Sequence, residues 1–69
     1  MSYSKTQRII DAITEQIRSG TLSSGDKLPA ARELRAEYDC SQQVVRTALD
    51  RLRASGLIVT VPGVGAFVV

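Results

Sequence analysis

The most informative side chains lie in one predicted helix, where amides, a hydroxyl and an arginine share one side. Helical spacing places Gln43, Arg46, Thr47 and Asp50 opposite the apolar residues of this segment. A glutamine amide can form two hydrogen bonds with adenine, and an arginine can form two with guanine. The pattern therefore predicts a helix that reads base edges in the major groove of DNA. An ordinary solvated helix face has the same composition, so the pattern alone leaves both interpretations open.

The chain lacks the side chains on which most enzymes and metal sites depend. It has no histidine and a single cysteine, Cys40. Its acidic residues fit solvated helix faces and turns, and no nucleophile lies at a useful spacing from a base. We therefore expect no enzymatic activity, no cofactor and no metal site.

Size and composition indicate one small globular domain over residues 1–69. Of the 69 residues, 43% are hydrophobic, which predicts a modest core. Tyr3, Tyr38 and Phe67 are expected to anchor that core. The formal net charge is only +2, so charge alone does not establish nucleic-acid binding. The charges are also uneven, because residues 54–69 contain none.

Cysteine content and hydropathy favour a cytoplasmic protein without a membrane partner. One cysteine cannot form an intrachain disulfide, which fits a reducing compartment. No apolar run reaches the roughly 18 residues needed to cross a bilayer, and the N-terminus lacks a signal-peptide core. Cys40 is expected to pack as a small hydrophobic residue, with a redox-sensing thiol as the alternative.

Capping signals predict three helices. Ser4 and Gln7 fit a capping box before a helix over about residues 5–19, which Gly20 ends. A second helix is expected over about 30–38, after Pro29 and with only half a capping box. The third begins at the serine cap Ser41 and covers 41–55, with a buried stripe of Val45, Ala48, Leu49 and Leu52.

The last third of the chain predicts a β-hairpin. β-branched residues over 57–61 and 66–69 flank a turn at 62–65, and Lys27 and Leu28 fit a very short strand. The fold class is therefore mainly α with a small β-hairpin, a winged helix-turn-helix of three helices and a two-stranded wing. In a helix-turn-helix, the later helix enters the major groove and reads bases with its N-terminal residues.

Several segments, in this order and spacing, resemble the N-terminal winged-helix domain of the GntR family of bacterial transcriptional regulators. They are residues 17–22, 25–29, 32–34, 45–49, 56–58 and 63–68, together with Leu52. The resemblance covers nearly the whole chain. It implies sequence-specific DNA binding by a transcriptional regulator, with repression as the expected mode.

The resemblance also implies roles for individual residues. Two arginines match the family positions that contact DNA, the start of the third helix matches the part that reads bases and phosphates, and residues 62–65 match a wing near the minor groove. The DNA-binding residues implied in this way, together with Thr47 from the polar helix face, are Arg32, Ser41, Gln42, Gln43, Val44, Arg46, Thr47, Gly63 and Val64.

This chain departs from the family pattern at two places. Residues 41–44 read Ser-Gln-Gln-Val where relatives often have Ser-Arg-Thr-Thr, which favours adenine over guanine. The wing position that is usually Arg or Lys is Val64, which gives no electrostatic gain in the narrow minor groove. Fewer cations predict a shallower salt dependence than in a typical relative.

The resemblance further implies partners beyond this domain. Relatives carry a larger C-terminal domain, absent from this chain, that binds a small-molecule effector and dimerises. We expect a homodimer of the full-length protein on a pseudo-palindromic double-stranded operator. An uncharged, β-branched hairpin would aggregate at an exposed edge. We therefore expect either that this chain is a domain excised from a longer protein or that another segment covers that edge.

Alternative roles stay open from the sequence alone. Arg46 could pair with Asp50 on the helix surface, and Arg32 could pair with a nearby carboxylate. The domain could also be a protein–protein interaction module that uses the apolar hairpin or the third helix.

Overall fold

The computed structural model describes residues 4–69, which form three helices followed by a two-stranded antiparallel sheet. The elements are α1 (Lys5–Ser19), α2 (Ala31–Tyr38), α3 (Gln42–Ala54), β1 (Ile58–Val61) and β2 (Gly65–Val68). Order and type agree with the predicted winged helix-turn-helix. Tyr3, a predicted core anchor, lies outside the described residues.

The start of α1 follows the predicted cap, but only in part. Ser4 Oγ accepts a hydrogen bond from the backbone N–H of Gln7 at 3.0 Å. The Gln7 side chain does not complete the capping box, because its Nε2 donates to Asp11 Oδ1 at 2.8 Å. Gly20 ends the helix in the left-handed conformation, with φ of 86°.

The turn between α2 and α3 fixes where the third helix begins. Ala30 is the N-cap of α2 and makes no side-chain cap hydrogen bond, as expected, and the helix covers Ala31–Tyr38 where about 30–38 was predicted. Asp39 ends α2 in the left-handed conformation, with φ of 49°, and its backbone carbonyl accepts a hydrogen bond from Lys5 Nζ. Ser41 then caps α3, since its Oγ accepts from the N–H of Val44 at 3.4 Å.

The hairpin has a third backbone segment beside it. Ile58 pairs with Val68 and Val61 pairs with Gly65, so each strand lies one residue from its predicted bounds. Beyond β2, the N–H of Leu28 donates to the Ala66 carbonyl at 2.8 Å, and Lys27 forms a bridge with Phe67. The predicted short strand at 27–28 is therefore a single bridge, and it covers the outer edge of β2.

The core lies between the three helices and the inner face of the sheet. Its buried side chains are Ile9, Ile13, Leu28, Leu34, Val45, Ala48, Leu52, Ile58 and Val68. Tyr38 and Cys40 are half-buried and pack against this core, as expected. Phe67 is half-buried but is not among the side chains that form or contact the core, so the prediction that it anchors the core is wrong. Burial, followed by the neighbouring Glu37 carboxylate, raises the pKa of Tyr38. With the apolar side of α3 held in this way, its opposite side faces outward.

Candidate nucleic-acid interface

The first two turns of α3 present most of the predicted reading residues to solvent. Ser41, Gln42, Gln43 and Arg46 are exposed, whereas Val44 and Thr47 are half-buried. Val44 packs against the core, so its methyl groups are only partly available to a partner. The exposed surface of these turns is therefore mainly amide, hydroxyl and guanidinium.

A hydrogen-bonded pair organises the centre of this face. Thr47 Oγ1 donates to the backbone carbonyl of Gln43 at 2.9 Å. The same hydroxyl oxygen, Thr47 Oγ1, lies 3.5 Å from Gln43 Nε2. The threonine hydroxyl proton is thus used within the helix. Thr47 positions the glutamine amide, whose Oε1 and second N–H point to no partner within residues 4–69.

Arg46 does not form the surface pair that was the alternative to DNA contact. Asp50 pairs instead with Arg53, where Arg53 Nη2 lies 3.3 Å from Asp50 Oδ1. Within residues 4–69, Arg46 makes no ion pair and no side-chain hydrogen bond, and it is exposed. Its guanidinium keeps all its donors for an external acceptor.

Arg32 is also exposed and unpaired in the described part of the chain. It lies in the first turn of α2, directly after Ala31. A groove of about 250 Å³ is lined by Ala31 together with Gln42, Arg46 and Thr60. Arg32 thus directly follows a residue of the groove that Arg46 and Gln42 line, but its own side chain does not line that groove.

The wing lies beside the same groove. Gly63 has φ of 75°, which favours glycine, and the N–H of Val64 donates to the Val61 carbonyl at 3.0 Å to close the turn. Val64 is 55% exposed, so the turn ends in an apolar tip. A second groove, of about 410 Å³, contacts Gly63 and Val64 and shares Ala31, Leu49 and Thr60 with the first. Gln42 and Arg46 of α3 and Gly63 and Val64 of the wing thus line two adjoining grooves, whereas the predicted residues Ser41, Gln43, Val44 and Thr47 line neither.

Sequence reasoning missed the residue that joins α3 to the wing. Arg53 Nη1 donates to Thr60 Oγ1 at 3.2 Å while Nη2 pairs with Asp50. The spacing between residues 50 and 53 could have predicted the ion pair. The contact with Thr60 depends on tertiary packing, which no local pattern encodes.

Two kinds of feature, a metal-ligand cluster and a membrane-spanning helix, are not found among the described residues. Within residues 4–69, no three histidine, cysteine or acidic side chains lie close enough to hold a metal ion. In the same residues, no helix has the length and apolar character needed to cross a bilayer.

Comparison with known proteins identifies the domain. Residues 5–68 match the family described as bacterial regulatory proteins, gntR family. The chain belongs to the GntR family. Among its GntR relatives, the histidine utilization repressor of Klebsiella aerogenes is 37% identical over 62 residues, which cover 90% of this chain and 26% of the relative. The mannosyl-D-glycerate transport/metabolism system repressor MngR of Escherichia coli (strain K12) has the same identity and coverage.

Solved structures agree with this assignment. The DNA-binding domain of AraR, in a crystal structure with the operator ORR3, has a TM-score of 0.95 and 28% identity, and the match covers 100% of this chain and 83% of that one. A GntR family transcriptional regulator from Listeria monocytogenes has a TM-score of 0.89 and 30% identity over 97% of this chain and 59% of its own. This GntR domain spans about a quarter of the length of the two curated repressors.

Proposed function

We propose that this domain binds operator DNA sequence-specifically as the DNA-binding part of a transcriptional repressor. In this proposal the α3 face enters the major groove and residues 62–65 lie near the minor groove. The observation that carries it is the exposed, unpaired Arg46 beside two exposed glutamines on the first turns of α3. These groups offer the donors and acceptors that base edges require.

The relatives support both parts of the proposal. AraR is bound to operator DNA in a structure that superposes on this domain with a TM-score of 0.95. The two curated relatives are named as repressors. A protein-interaction role through the apolar hairpin or the third helix is not favoured, because the named relatives are repressors and a domain in complex with operator DNA.

The longer protein that would carry this domain is also part of the proposal. We propose that it dimerises through a further domain, which binds a small-molecule effector, and that it occupies a pseudo-palindromic operator. Support comes from the relatives, of which this chain matches only 26% of the length. Two domains on one operator would place two reading helices about one helical turn apart.

Binding measurements on an Arg46→Ala variant test the function. An operator is first selected from a random duplex library, and affinity is then measured by fluorescence anisotropy. The variant should lose about 1–3 kcal/mol, because one bidentate contact with a base is removed. Arg18→Ala, which removes a cation from the exposed last turn of α1, is the matched control and should bind normally. Equal affinity of the Arg46 variant and the parent domain would contradict the assignment.

A further inference from the structure

The side chain of Lys27 lies directly over the base of the wing. Lys27 bridges to Phe67, and its chain runs diagonally to Gly65, the first residue of β2. Lys27 Cε lies 2.8 Å from the position that a Cβ at residue 65 would occupy, and Nζ lies 3.7 Å from it. The lysine can take this path because residue 65 has no side chain.

This path brings a positive charge to an otherwise uncharged part of the surface. Residues 54–69 contain no charged side chain. Of the described residues that line the groove beside the wing tip, Lys27 alone is charged, and it lies there with Pro62, Gly63 and Val64. Within residues 4–69 its ammonium has no hydrogen-bond or ion-pair partner, and the residue is exposed.

We infer that Lys27 binds a backbone phosphate of DNA beside the wing, and so supplies the cation that the valine tip lacks. The inference rests on the proposed function, in which the wing lies near a minor groove. The base of the wing then faces the phosphates that border that groove. A lysine ammonium acts as a point charge there and adds affinity without reading sequence.

A purely packing role for Lys27 makes a different prediction. Lysine methylenes cover apolar surface while the ammonium stays in water. Lys27→Met keeps a long unbranched chain over Gly65 and removes only the charge. Lys27→Arg keeps the charge. The two variants therefore separate electrostatic binding from packing.

The test measures the affinity of the domain for its selected operator and for an unrelated duplex at several salt concentrations. Lys27→Met should weaken binding to both duplexes by a similar factor, about tenfold near 0.1 M salt, and should reduce the slope of log K against log salt by about 0.9. Lys27→Arg should keep the slope. Val64→Lys, introduced into the Lys27→Met variant, should restore it by returning a cation to the wing.

Two controls separate failure of the Lys27 inference from failure of the proposed function. Arg18→Met, which removes a cation from α1, should leave the slope unchanged. A Lys27→Met variant with the parent slope, and with an unchanged melting temperature by circular dichroism, would overturn the inference. If the parent domain does not distinguish its selected operator from the unrelated duplex, the proposed function fails instead, whatever Lys27 does.

Discussion

At the scale of single residues, one hydrogen-bonded pair orients an amide on the helix face that we propose reads bases. Thr47 Oγ1 lies 3.5 Å from Gln43 Nε2 and so restrains the amide. The remaining carbonyl oxygen and N–H of that amide are the two groups that pair with N6 and N7 of adenine. A glutamine held in this way loses less rotational freedom on binding than a free one.

We therefore expect Gln43→Ala to remove a preference for adenine at one operator position. The cost on the selected operator should be about 1–3 kcal/mol, and the cost on duplexes with another base pair there should be small. Competition binding against operators substituted at each position measures this. Gln16→Ala, at an exposed position on α1, is the control. If the Gln43 variant ranks the substituted operators as the parent does, Gln43 does not read a base.

The sequence anticipated this face better than its internal contacts. Helical spacing was sufficient to place Gln43, Arg46 and Asp50 on the outside of α3. It could not assign the partner of Asp50, because positions 46 and 53 are both within reach of residue 50 on a helix. The hydroxyl of Thr60 favours Arg53, since one guanidinium can bind both groups at 3.2 and 3.3 Å.

At the scale of elements, Arg53 connects the two parts that would contact DNA together. It extends from α3 to Thr60 on β1, and its other nitrogen neutralises Asp50 beside Arg46. Arg53 and Asp50 side chains are 54% and 55% exposed, so the ion pair contributes at most about 1 kcal/mol to stability. Its importance lies in the relative position of helix and wing.

We expect Arg53→Ala and Thr60→Val to weaken operator binding by similar factors. The double variant should bind no more weakly than the poorer single one, because both changes remove the same contact. Anisotropy titrations of the three variants measure the coupling, and urea unfolding checks that each domain is folded. Arg51→Ala removes a neighbouring exposed arginine of α3 as a comparison. Strictly additive losses from Arg53→Ala and Thr60→Val would show that the contact does not act as a unit.

Element boundaries were largely predictable because the chain carries explicit start and stop signals. Ser4, Gly20 and Ser41 mark helix ends in the structure as their chemistry predicts. The strand bounds differ by one residue, since pairing begins at Ile58 rather than Leu57 and includes the turn residue Gly65 but not Val69. The edge of β2 that looked exposed in the sequence is paired with residues 25–28, a contact across about 40 positions that no local pattern contains.

At the scale of the whole molecule, the distribution of cations determines how binding depends on salt. Three cations at the proposed interface form no ion pair within residues 4–69: Arg46 and Lys27 each line a groove, and Arg32 follows Ala31, which lines both grooves. Each phosphate neutralised contributes about −0.9 to the slope of log K against log salt. Because Arg46 is assigned to a base edge, Arg32 and Lys27 remain for phosphates, and one domain on one half-site should give a slope near −1.8, or about two times 0.9.

The proposed dimer of the longer protein should double this slope on a pseudo-palindromic operator, because two domains bind at once. Its affinity should also exceed that of one domain by about 10²–10⁴-fold, since the second binding event is intramolecular. Titrations of the single domain and of the longer protein, each at four or more salt concentrations, measure both quantities. A single-domain slope steeper than about −5 would mean that further arginines, such as Arg8 or Arg35, also contact phosphates, and that the reading surface extends beyond α3, α2 and the wing.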